Sequence, residues 1–118
     1  MKKLIVLFAL CLSFNANAAE FIDGMEDVPL MSNIQQLQSN NISFGNDESR
    51  FVEAYITGQN TDFRKISTFY KDTLPQLGWK FKGTKNNVLH FERDKEVLDI
   101  AQEKASPLLV RITLKSKD

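Results

Sequence analysis

The chain has 118 residues, 42% of them apolar, with 15 basic and 15 acidic side chains and one histidine. That is one domain's worth of sequence. A balanced charge argues against a general nucleic-acid or anionic-membrane binder.

Residues 1–18 read as a secretory signal. Lys2 and Lys3 form its basic start, residues 4–14 its apolar stretch, and Ala16-Asn17-Ala18 its small-residue cleavage motif. Cleavage is expected after Ala18 or after Ala19. The apolar run is too short for a membrane span, and no other stretch approaches that length, so stable membrane insertion of the mature chain is not expected. Cys11, the one cysteine, lies inside this segment. A lipoprotein would acylate it, but Leu10 is bulky where such signals want a small residue, and the apolar run continues past Cys11. The mature chain therefore has no thiol for disulfides, thiolate zinc sites or cysteine nucleophiles. Without Lys2 and Lys3, basic residues fall two short of the 15 acidic ones. A mature chain of roughly 100 residues can fold alone, burying about 65% of its unfolded surface.

Residues 19–30 mix apolar and acidic side chains and read as an extended arm that lays Phe21, Ile22, Val28 and Leu30 on the domain. Asp23, Glu26 and Asp27 do not have the spacing of a calcium loop. Residues 31–41, rich in Ser, Asn and Gln, read as a polar connector or a short helical turn on Ile34 and Leu37. Asn41-Ile42-Ser43 matches the glycosylation sequon, which matters only in a eukaryotic secretory pathway.

Residues 42–44 predict a short strand, and 45–49 a turn. In the strand predicted at 50–57, Val52, Ala54 and Ile56 take one face, and Phe51, Glu53 and Tyr55 the other. The central helix follows. Phe63, Ile66, Tyr70, Leu74 and Leu77 recur three or four apart, which stacks them on one face. Thr61 is the expected N-cap, with Asp62 beside it at the positive end of the helix dipole. Pro75 falls on the solvent face, where the freed Lys71 carbonyl can bond water. Gly78 supplies a left-handed stop, pairing Leu74 with Trp79 in a Schellman cap.

Trp79 opens a strand with Phe81 on the same face, followed by a turn at 83–87. The next strand, 88–93, sets Val88, His90 and Glu92 opposite Leu89, Phe91 and Arg93. Residues 96–104 are helix formers by type, yet Leu98 and Ile100 alternate, and a strand is favoured. Residues 108–114 are a clear strand. The expected fold is α+β: an antiparallel sheet of about five or six strands, with one principal helix packed on one face. The expected organisation is a signal peptide at 1–18, an arm and connector at 19–41, and a single domain at 42–118.

Three stretches carry a resemblance: Phe21-Ile22-Asp23-Gly24-Met25-Glu26-Asp27-Val28-Pro29-Leu30-Met31, Arg50-Phe51-Val52-Glu53-Ala54-Tyr55, and Phe69-Tyr70-Lys71-Asp72-Thr73-Leu74-Pro75-Gln76-Leu77-Gly78-Trp79. Phe91-Glu92-Arg93 with Glu96-Val97-Leu98-Asp99-Ile100 fits the same pattern. They resemble small, uncharacterised exported (periplasmic) proteins of Gram-negative bacteria that share an aromatic pair followed by Leu-Pro-x-Leu-Gly-Trp. The resemblance implies fold and compartment, periplasmic or secreted, and no activity.

The sequence holds no nucleophile elbow, phosphate loop, dinucleotide fingerprint or zinc-protease helix, and no cofactor is expected. His90 is read as a solvent-side histidine beside a carboxylate. Glu53, Glu92 and Glu96 read as solvated sheet-face charges and not as an acid–base pair. Phe44, Phe51, Tyr55 and Trp79 read as core packing, with an aromatic-lined cavity as the alternative. The functional expectation is a non-enzymatic envelope protein that binds or scaffolds a protein partner. Candidate surface residues are Phe51, Tyr55, His90 and Trp79. The alternative is a small apolar-ligand carrier or enzyme using a pocket between helix and sheet.

Overall fold

The computed structural model describes residues 20–45 and 49–117; the expected signal segment with Cys11, and the side chains of Phe44 and of the sequon, lie outside this description. Alternation dominates the architecture. In β4 (Arg50–Gly58), β6 (Val88–Arg93), β7 (Glu96–Ala105) and β8 (Leu108–Ser116), buried and half-exposed residues largely alternate. Such a pattern puts one face of a sheet against a core and leaves the other open.

These strands join β3 (Ile34–Gly45) and β5 (Lys80–Lys85) in one antiparallel sheet of six strands, ordered β3-β4-β8-β7-β6-β5. Register sets its core face in transverse rows. Ala54 faces Ile112, Ile112 faces Ile100, and Ile100 faces Leu89. Val52, Leu114, Leu98, Phe91 and Phe81 form the next row. Tight turns hold the register. Asn86 and Asn87, both at positive φ, join β5 to β6 as a two-residue hairpin turn requires. Asp94, also at positive φ, begins the turn from β6 to β7.

Helix α1 (Phe63–Thr73) joins β4 to β5 at the far edge of the sheet. Its Ile66 and Tyr70 are buried in the core, with Phe63 and Phe69 partly buried against it. The N-cap is Asp62 and not Thr61: its Oδ1 accepts the Lys65 N–H at 3.0 Å. Pro75 does not lie within the α-helix. The helix ends at Thr73, and Leu74–Leu77 tightens into a 3-10 turn with Pro75 at its start, where a missing N–H costs least. Gly78, at φ 95°, closes it. Trp79 N–H donates to Leu74 O and Gly78 N–H to Pro75 O, both at 3.1 Å, the two bonds of a Schellman cap. Leu77, expected on the buried stripe, is exposed.

The N-terminal arm is a hairpin. Strands β1 (Glu20–Ile22) and β2 (Met25–Leu30) form a second, two-stranded antiparallel sheet turning at Asp23 and Gly24. Ile22, Met25, Val28 and Leu30 enter the core, whereas Phe21 stays 45% exposed. The polar stretch after it is β3 and not a connector, with Ile34 buried in the same core. The hairpin and the sheet therefore share one core, with no break at the expected boundary near residue 41. Residues 96–105 are a strand, as the alternation of Leu98 and Ile100 suggested. Among the described residues, no helix is long and apolar enough to cross a membrane.

Candidate functional site: the open face of the sheet

The core side is filled. Ile66, Tyr70, Leu74, Trp79, Leu89, Phe91, Leu98, Ile100 and Ile112 are all buried in one cluster that includes the hairpin residues. The Tyr70 hydroxyl donates to Pro29 O at 2.7 Å, which ties helix to hairpin, and burial pushes the phenol well above its ordinary pKa. The space between helix and sheet is thus occupied by packed side chains.

The other face presents Phe51, Tyr55, Val88, Val97 and Leu109, all half-buried, with polar and charged residues between them. Its central row runs Glu53, Thr113, Asp99, His90. Tyr55 OH donates weakly to Glu53 Oε1 at 3.4 Å. His90 Nδ1 and Asp99 Oδ1 are 2.6 Å apart, so the carboxylate beside the histidine comes from the neighbouring strand and not from Glu92. Arg111 pairs with Glu103 at 3.2 Å. The next row runs Phe51, Lys115, Val97, Glu92, Lys80. Lys117 bridges to Glu92 at 3.0 Å. That hydrogen bond, aided by the charges of Lys117 and Lys82, holds the Glu92 carboxyl below the ordinary range.

Of the four expected surface residues, Phe51, Tyr55 and His90 lie on this face. Trp79 does not: it is 1% exposed, on the core side, and the expectation is corrected by its place in the Schellman cap. Phe51, Tyr55 and Trp79 therefore do not converge on a cavity. Glu53, Glu92 and Glu96 are likewise separate. Glu53 meets Tyr55 and Glu92 meets Lys117 on the open face, whereas Glu96 lies on the opposite face with Arg50 at 2.6 Å. The Glu96 hydrogen bond in turn raises the Arg50 pKa. Among the described residues, no group of three or more His, Cys, Asp or Glu is placed to hold a metal.

The larger hollow, about 730 Å³, lies at the loop end of the fold and not between helix and sheet. Asn33, Gln35, Gln59, Asn60 and Thr61 contribute to its polar wall. Sequence reasoning missed a smaller hollow of about 270 Å³ at the opposite end, where Lys80, Lys82 and Lys117 surround Glu92. Its only sequence signal is lysine repeating at alternate positions, 80 and 82, then 115 and 117. No known protein family, curated protein or solved structure matches the chain.

Proposed function

We propose that this chain is a non-enzymatic exported envelope protein that binds or scaffolds a protein partner through the open face of its sheet. The observation that carries the reading is the contrast between the two faces. One is packed into the core, while the other leaves Phe51, Tyr55, Val88, Val97 and Leu109 half-exposed across four strands, interspersed with polar and charged residues. Aromatic and branched apolar residues set among charged pairs make an interaction surface, with apolar area for affinity and charges for register. The pattern of residues 1–18 supports export.

Tyr55→Asp tests the reading. It places a charge in the middle of the open face without touching the core. Affinity-tagged full-length protein is captured from cells of the source organism, and the recovered proteins are quantified. The expected result is a defined partner recovered with wild type and with Thr68→Asp on the exposed side of α1, but lost with Tyr55→Asp. Equal recovery by all three would contradict the reading. Thermal melts of each variant exclude unfolding as the cause.

A further inference from the structure

We infer that the partner segment seated on this face is acidic and extended, and that it docks on the lysine-rich end formed by β5 and β8. The inference rests on the open-face reading above and specifies the chemistry of the partner. Lys80 and Lys115 occupy one transverse row of the open face, separated by Glu92 and Val97. Neighbouring strands are spaced about 4.8 Å apart, so the two lysines are roughly 14 Å from one another. Lys82, at the bulge in β5, and Lys117, just past the end of β8, line the 270 Å³ hollow with Lys80.

Charge at this end is unbalanced. Lys117 is engaged by Glu92. Among the described residues, Lys80, Lys82 and Lys115 have no ion-pair partner. Lysines on edge strand β5 also protect that edge against unwanted pairing, but Lys115 lies on the interior strand β8, where no edge needs protection. An extended chain repeats its side chains on one face every ~7 Å. Carboxylates four residues apart therefore span Lys80 to Lys115, and the residue midway meets the row between Glu92 and Val97. The complementary pattern is acidic–x–apolar–x–acidic. An anionic bilayer fits less well, because its continuous negative charge would face Glu92 and Asp94, whereas the spaced carboxylates of the segment straddle Glu92.

The test uses the full chain and a synthetic peptide of repeating Glu-Ser-Val-Ser, which sets glutamate and valine in turn on one face of an extended strand, with phosphatidylglycerol vesicles as the competing probe. Binding of the peptide is expected to shift the backbone amide resonances of Lys80, Lys82, Val97 and Lys115. Replacing Lys80, Lys82 and Lys115 together by Glu is expected to weaken binding about tenfold or more, as is high salt. Replacing the same three by Arg keeps the charge and is expected to keep the affinity. Absence of peptide binding, equal affinity after charge reversal, or binding to vesicles but not to peptide each overturns the inference. Partner capture separates this failure from that of the broader reading. A partner retained by the charge-reversed chain but lost with Tyr55→Asp sinks only the acidic-segment inference. A partner retained by both sinks the open-face reading as well.

Discussion

The guanidinium of Arg93 lies over the ring of Trp79, 4.4 Å from its centroid. From there Nη1 donates to Leu77 O at 3.1 Å and Nη2 to Asp27 at 2.6 Å. One side chain thus joins the end of β6, the 3-10 turn and the hairpin. Arg93→Ala should cost about 1–3 kcal/mol through the lost stacking and charge-assisted bonds. Asp27 is more than half exposed, so Asp27→Ala should cost no more than about 1 kcal/mol. Urea melts measure both, and the order Arg93 above Asp27 is the point at issue.

The cap beneath Arg93 gives a second ordering. Trp79→Ala opens a cavity in the core and should cost roughly 3–5 kcal/mol. At Gly78 a left-handed residue gains a Cβ, a cost of roughly 1–2 kcal/mol. That Cβ would stand 3.2 Å from Arg93 Cδ, which a flexible side chain can accommodate. Pro75→Ala should cost under about 1 kcal/mol, the loss of a pre-set backbone angle. A Trp79→Ala midpoint equal to wild type in urea would refute the helix-clasp role.

Tyr70 should impose an alkaline limit on stability. Its phenol is buried and its folded pKa lies above the unfolded value of about 10. The folded state therefore holds the proton more tightly. This contribution is fully present below pH ~10 and is lost as pH rises from there through the folded pKa. Tyr70→Phe should lower stability at neutral pH by about 1–2 kcal/mol, through the lost bond to Pro29 O, and flatten the alkaline limb. Denaturant melts at stepped pH check both effects.

Glu92 titrates in the opposite sense. Its folded pKa is depressed by the Lys117 hydrogen bond. Its contribution is present above the unfolded value, about 4.3, and lost as pH falls through the folded one. Lys117→Ala should move the Glu92 midpoint upward in a carboxyl-carbon NMR titration, with little change in the global melt.

Much of this was legible in the sequence where a single periodicity ran unopposed. Val52, Ala54 and Ile56 alternate, as do Val110, Ile112 and Leu114, and each set is buried in the sheet. Gly78 and Trp79 announced the cap because left-handed glycine followed by a large apolar residue has few other uses. Residues 96–105 contain helix formers, yet pairing with β6 on one side and β8 on the other makes them a strand. Tertiary pairing there overrides local propensity.

The edge strand and the hairpin were harder to read. An edge strand needs few apolar residues, so the Gln and Asn of β3 resembled a connector although Ile34 anchors it in the core. Thr61 and Asp62 are both competent caps, and only geometry chose Asp62. On the site, alternation alone brought Phe51 and Tyr55 to one face. Partners distant in sequence could not be read: Arg93 with Asp27, Lys117 with Glu92, and the row linking Lys80 to Lys115 depend on strand order.

The most direct test of the open-face account is site-specific photo-crosslinking in living cells of the source organism, with the reactive residue placed at Val97 on the open face or at Thr68 on α1. A discrete protein adduct from Val97, with none from Thr68, is the expected result. Adducts from Thr68 alone, or none from Val97 while the tagged protein still captures its partner, would contradict the account and place the contact elsewhere on the fold.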